Sequence, residues 1–134
     1  MNSLTAPRVA APRRSSQPVA SHWPLVMGAA GLASGIALAA WTAATVTEQP
    51  FSGEFHLWVA DDSTHELSIA GYLLTPFVVI GALIWDRIGQ RLGLRDRNFG
   101  LKPRYTRALQ GMAMCAMVVG AWHIYNIAYL AATA

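Results

Sequence analysis

Charged residues are scarce in this sequence, and cysteine is almost absent. Only 13% of the 134 residues are Asp, Glu, Lys or Arg, whereas 54% are hydrophobic. Soluble globular proteins carry about 25% charged residues, so the composition argues against a soluble domain. Cys115 is the only cysteine. An intrachain disulfide is therefore excluded.

The motifs that usually mark catalytic chemistry are also missing. The sequence contains no nucleophile elbow, no phosphate-binding glycine-rich loop and no HExxH zinc motif. It is too short for a carrier built from internal repeats, which needs more than three membrane spans. The sequence thus favours a role other than catalysis, and only a redox function, discussed below, stays open.

Three long stretches contain no charged residue: 15–47, 67–85 and 108–134. About 20 helical residues cross the roughly 30 Å hydrocarbon layer of a bilayer, and each stretch contains that many. These segments are apolar or small on all sides, whereas helices of a soluble bundle need a polar stripe. We therefore predict an all-α membrane protein with three transmembrane helices.

The predicted membrane domain covers residues 24–134, and its spans lie at about 24–46, 63–88 and 103–131. The second helix is expected to continue beyond the membrane to Gly93, a typical helix stop. Pro76 should disturb it near its middle. Residues 1–23 mix Pro, Ser, Ala and Arg without apolar periodicity, which is typical of a disordered tail.

The basic residues predict the orientation of these spans. All 10 Lys and Arg lie either at positions 8–14 or at positions 87–107. The connection between the first two spans contains no Lys or Arg. Its charged residues are all acidic: Glu48, Glu54, Asp61, Asp62 and Glu66. The positive-inside rule then places the N-terminus in the cytoplasm and the C-terminus outside a plasma (inner) membrane. Because topology accounts for the net charge of +3, no nucleic-acid partner is expected. The abundance of Ala, and of Arg over Lys, is typical of a GC-rich bacterial genome.

Small residues recur every four positions along the first span. This ridge consists of Gly31, Gly35, Ala39 and Ala43, and Ala116 and Gly120 form a similar patch on the third span. Small side chains allow helix backbones to approach closely within a membrane. The ridge and the patch therefore predict helix packing, either with other helices of this chain or with another subunit.

The first connection has its own local signals. Pro50 and Gly53 favour turns, and apolar residues alternate over positions 55–60, which predicts a short extended segment. Ser63 and Glu66 stand at the spacing of a capping box, so the second helix is predicted to begin at Ser63.

The third span contains polar-capable side chains in its outer half: His123, Tyr125 and Asn126. An ionisable group inside a membrane is by default a candidate functional site, so His123 could bind haem or a quinone, or relay protons. The other histidines lie outside the spans, and a bis-His haem would need a ligand from a partner. Alternatively, His123 is a neutral residue that is hydrogen-bonded to a neighbouring helix.

A metal site in the first connection has weaker support. His56, Asp61 and His65 offer imidazole and carboxylate ligands, but their spacing matches no known metal motif. Helix capping also explains the acidic residues there. We therefore expect no metal site at these positions.

Three functional hypotheses follow from these patterns. The first is a non-catalytic accessory or scaffold subunit of a larger membrane complex, with energy-transducing complexes among the candidates. Its partners would be lipid and either other membrane subunits or copies of itself. The second is a small homo-oligomeric channel or transporter component, with a polar path at His123, Tyr125 and Asn126. The third is a redox subunit that binds haem or quinone at His123.

Overall fold

The computed structural model describes residues 19–133, and three of its helices are long and apolar enough to cross a membrane. They are α1, Trp23–Ala44; α2, Asp62–Gly93; and α3, Pro103–Thr133. Each packs against the other two. The mostly helical fold agrees with the predicted all-α membrane protein. The predicted stop at Gly93 and start at Pro103 coincide with the observed ends.

Helix α2 changes its winding around Pro76. A π-helical segment, Leu73–Val78, interrupts the α-helix at this point. Proline lacks a backbone N–H and cannot complete the regular ladder. The Thr75 hydroxyl donates to the Gly71 carbonyl at 2.7 Å, which satisfies one acceptor beside the interruption. The predicted disturbance at Pro76 therefore takes the form of a wider turn within one continuous span.

The predicted capping box at the start of α2 is wrong. The helix begins with a 3-10 turn, Asp62–Thr64, and the capping side chain is that of Asp61. Its Oδ1 accepts the backbone N–H of Ser63 at 2.8 Å. Hydrogen bonds from the Ser63 side chain and backbone hold the pKa of Asp61 below its ordinary value. Asp61 takes the capping role that was predicted for Ser63, because an Asp side chain readily accepts the backbone N–H two residues later in an Asx turn.

The connection between α1 and α2 is a β-hairpin rather than a single extended segment. Strand β1, Val46–Ser52, pairs antiparallel with strand β2, Phe55–Ala60. Gly53 takes a φ of 58° in the turn, a conformation that glycine adopts readily. The predicted extended segment at 55–60 coincides with β2. The polar β1 lacks the alternation that identified its partner, so the all-α prediction missed this hairpin.

The opposite end of the bundle, which carries the basic connection between α2 and α3, is called the basic end below. The segment before α1 lies against this connection, because the Ala20 N–H donates to the Gly100 carbonyl at 3.3 Å. Val19 and Ala20 thus contact the membrane domain. The rest of the predicted disordered tail, residues 1–18, lies outside the described residues.

Glycines bring α1 close to the other helices. Gly28, Gly31 and Gly35 are all buried, and a Cβ added at Gly28 would lie 2.6 Å from Leu109 Cδ2 on α3. A Cβ at Gly31 would lie 2.8 Å from Val78 Cγ1 on α2. Since a real Cβ does not tolerate such distances, these positions set the spacing of the three helices.

Candidate functional site

All three helices contribute to the surroundings of His123, which is fully buried. Its ring lies against Gly71 of α2, where an added Cβ would overlap the imidazole. Gly35 of α1 packs in the same way on the Thr75 side chain. We call Gly35, Gly71, Thr75 and His123 the His123 cluster. Its two glycines provide the space that the imidazole and the threonine methyl group occupy.

The imidazole links α3 to α1. His123 Nε2 lies 3.3 Å from the Gly35 carbonyl oxygen. Because a carbonyl oxygen only accepts, this contact requires the tautomer with the proton on Nε2. Nδ1 is also buried, and it has no hydrogen-bond partner within the described part of the chain. Interhelical hydrogen bonds of this kind contribute on average about 0.6 kcal/mol in a membrane.

Asn126, one turn further along α3, holds the hairpin. Its side-chain oxygen accepts the backbone N–H of Ala60 at 2.9 Å, and its amide donates to the Trp122 carbonyl at 2.9 Å. Both Asn126 and the Ala60 N–H lie inside the protein. Without this acceptor the end of β2 would bury an unsatisfied donor, which costs about 1–3 kcal/mol. Asn126 therefore fixes the hairpin to the bundle.

Trp122 forms a third link on the same side. Its indole N–H donates to the Thr42 hydroxyl of α1 at 3.0 Å. Tyr125 differs from its neighbours because it is exposed, although its ring centroid lies 6.1 Å from that of Trp122. Thus His123 and Asn126 face the inside of the bundle, whereas Tyr125 faces outward. One copy of the chain does not align these three side chains along a single path.

The same geometry bears on haem and quinone. An axial haem ligand needs a free imidazole nitrogen that faces space for the macrocycle, and a quinone oxygen needs an accessible donor. His123 Nε2 faces the Gly35 carbonyl, Nδ1 is buried although it has no hydrogen-bond partner among residues 19–133, and the ring is enclosed by α1 and α2. The residues around His123 therefore do not fit either group in this arrangement. What the cluster does chemically is join α3 to α1 through an uncharged polar contact and pack the imidazole against α2.

The residues predicted to pack between helices fall into two sets. Gly31, Gly35, Ala116 and Gly120 are buried, and an added Cβ at Gly120 would lie 3.3 Å from Pro76 Cδ. Ala39 and Ala43 instead line an apolar groove between α1 and α3, with a volume of about 390 Å³. The groove is open, and Ala43 is exposed. The remaining groove residues are Ile36, Ala40, Val118, Val119 and Trp122.

The three weak candidates for metal ligands differ in position and in role. Asp61 caps α2, His56 is exposed on β2, and His65 lies at the start of α2 beside an open cleft lined by Asp62 and the last turns of α3. Within residues 19–133, no three His, Cys, Asp or Glu side chains form a group that could hold a metal ion.

Comparison with known protein families, curated proteins and solved structures finds no match to this chain.

A second polar cluster, which the sequence patterns did not predict, lies at the basic end. Asp86 of α2 accepts hydrogen bonds from Gln90, one turn later, and from Thr106 of α3. We call these three residues the Asp86 cluster. One signal was present in the sequence: Asp86 and Asp96 are the only acidic residues in a segment, 86–107, that is otherwise rich in arginine.

Proposed function

We propose that this chain is a non-catalytic accessory subunit of a larger membrane complex and that a transmembrane helix of its partner occupies the groove between α1 and α3. It lies in a plasma membrane with its N-terminus in the cytoplasm, as the distribution of Lys and Arg favours. The observation that carries the proposal concerns the small-residue ridge of α1. Its glycines, Gly31 and Gly35, are buried inside the bundle, whereas its alanines, Ala39 and Ala43, line the open groove.

The polar groups inside the bundle support a structural role. His123 contacts α1, Asn126 holds β2 and Trp122 contacts Thr42. These hydrogen bonds join α3 to α1 and to the hairpin, and the His123 ring also packs on Gly71 of α2. A small unit of this kind suits a scaffold, which offers a defined surface to its partner.

The groove has the properties of a helix-packing surface. All of its lining residues are apolar, and three of them are alanines of α1. Lipid is as apolar as these side chains, so helices associate here by close van der Waals packing rather than by the hydrophobic effect. Small residues in a recess between two helices allow a third backbone to approach. Trp122 forms one wall and is held by its hydrogen bond to Thr42.

The test compares two alanines of α1. Ala43→Leu would fill the groove, whereas Ala37→Leu makes the same change at an exposed position that does not line it. Tagged versions are extracted from the native membrane in gentle detergent, and co-eluting proteins are quantified by mass spectrometry. We expect stoichiometric membrane subunits with the unmodified chain and with Ala37→Leu, and a marked loss of them with Ala43→Leu.

Other outcomes contradict the proposal in different ways. Equal recovery of partners with both variants would place the interface elsewhere on the surface. A homogeneous species of this chain alone would favour the homo-oligomeric channel, and reconstitution into liposomes would then measure conduction. Lipid that co-purifies with the unmodified chain but not with Ala43→Leu would identify the groove as an acyl-chain site.

A further inference from the structure

Asp86 is a deeply buried carboxylate at the basic end, with only 3% of its surface exposed. Its Oδ2 accepts the Thr106 hydroxyl at 2.6 Å and the Gln90 side-chain amide at 2.9 Å. It forms no salt bridge with Lys or Arg in the part of the chain that the structure describes. Among residues 19–133, the carboxylate therefore has hydrogen-bond donors on one oxygen and no positively charged partner.

Such an arrangement is unusual in physical terms. Moving an ionised carboxylate out of water is costly, and buried charges are normally paired with an opposite charge or bound to a metal. The two donors offset part of this cost, because hydrogen bonds to charged acceptors are stronger than neutral ones. A cation beside the carboxylate would offset the remainder.

A cavity of about 130 Å³ adjoins Asp86. Two aromatic residues, Trp85 and Phe99, contribute to its wall, and Ser21 also lines it. Phe99 is held in place because its ring packs directly on Gly93. At about 30 Å³ per water molecule, the cavity has room for roughly four waters or one small polar group. The other lining residues are Ala20, Pro24 and Gly89.

We propose that Asp86 and this cavity bind an alkylammonium or guanidinium group. The carboxylate would accept its N–H donors, and the faces of Trp85 and Phe99 would attract its charge. A nitrogen cation fits better than a metal ion, because the cavity offers a single carboxylate and two aromatic rings rather than several hard oxygen ligands. This inference is independent of the groove between α1 and α3, which involves other residues.

The ligand chemistry has two natural sources at this position. One is the ethanolamine headgroup of a membrane lipid, and the other is an arginine side chain from the N-terminal part of this chain, which contains Arg8, Arg13 and Arg14 and no acidic residue. Both present charged N–H donors. Choline presents none, so phosphatidylcholine provides a bilayer with no competing donor.

The experiment observes Gln90, whose side-chain amide donates directly to Asp86. The ¹⁵N-labelled full chain is placed in phosphatidylcholine nanodiscs, the Gln90 side-chain signal is assigned with Gln90→Ala, and methylguanidinium chloride is titrated against a sodium chloride control. We expect a saturable change that is lost in Asp86→Asn and kept in Asp96→Asn, an exposed acid at the same end. Phe99→Leu should weaken binding about three-fold through loss of the cation–π contact.

Two further arms identify the source of the natural cation. Exchange of phosphatidylcholine for phosphatidylethanolamine reproduces the change at Gln90 if the lipid headgroup binds. If an arginine of the chain already fills the cavity, the triple variant Arg8→Ala, Arg13→Ala, Arg14→Ala shifts the Gln90 signal and admits methylguanidinium. The proposal is overturned if the Gln90 signal does not change with methylguanidinium, with phosphatidylethanolamine or with the triple variant. It is also overturned if the signal responds equally in Asp86→Asn.

Discussion

The His123 cluster and the Asp86 cluster both join helices through polar side chains, but they differ in charge and in access. The His123 cluster is closed, since two glycines hold α1 and α2 against the imidazole and the threonine. The Asp86 cluster carries a carboxylate and borders a cavity. In the tautomer that its hydrogen bond requires, the His123 cluster contains no charged group. The Asp86 cluster contains a carboxylate that has no opposite charge beside it among residues 19–133.

This difference assigns different roles to the two clusters. Neutral polar contacts inside a membrane cost little once both groups are paired, and they give helices a defined arrangement. A buried carboxylate needs a counter-charge, so on its own it adds little to the stability of helix packing. It is better suited to binding a cation. Substitutions in the two clusters can test this difference, because those in the His123 cluster should destabilise the fold more than those in the Asp86 cluster.

The largest loss of stability should come from a substitution that adds a side chain inside the His123 cluster. Gly35→Leu would place a side chain where the Thr75 methyl group lies, and the Gly71 carbonyl is also close. Overpacking typically costs about 1–3 kcal/mol, and more where the backbone itself must move. We expect loss of cooperative unfolding, or a strongly lowered midpoint, in detergent followed by circular dichroism. Ala37→Leu, on the exposed side of α1, should unfold like the unmodified chain.

This variant also separates folding from assembly. Because Gly35 lies inside the chain, a loss of partners in Gly35→Leu would reflect unfolding rather than a broken interface. An unchanged unfolding midpoint in Gly35→Leu would contradict the close approach of α1 and α2 on which the structural role of the cluster depends.

An intermediate effect is expected for His123→Ala. The change removes the contact to the Gly35 carbonyl and leaves a cavity against Gly71, which together should lower the free energy of unfolding by about 2 kcal/mol. Tyr125→Ala, on the exposed side of the same helix turn, serves as the control and should have a much smaller effect. Equal losses in the two variants, measured by denaturant titration in the same detergent, would argue against a special position for His123.

The sequence was sufficient to predict the three membrane helices, because membrane spans depend on length and hydropathy, which are local properties. The ends at Gly93 and Pro103 were predictable for the same reason, since both residues act through their own backbone. The first strand of the hairpin was not predictable. Its Thr, Glu, Gln and Pro residues show no alternation, and β1 forms because β2 supplies the partner.

The site was less predictable than the fold, because its contacts join residues that are far apart in the chain. His123 and Asn126 stood out as polar residues in a span, but their partners, Gly35 and Ala60, are backbone groups with no signature. Asp86 escaped notice because it directly precedes a basic segment and resembles the end of a span. Its hydrogen bond to Thr106 appears only when α2 and α3 pack together.

The smallest effect should come from Thr106→Val, which keeps the shape of the side chain and removes the donor to Asp86. One hydrogen bond to a charged acceptor contributes about 1.5 kcal/mol, and the Gln90 amide still donates to the carboxylate. We therefore expect a loss of stability of about 1 kcal/mol in denaturant titration. Thr133→Val, at the exposed end of α3, should change little. A loss much larger than that of His123→Ala would reverse the comparison, because the Asp86 cluster would then be the main structural contact between helices and the cation site a secondary feature of it.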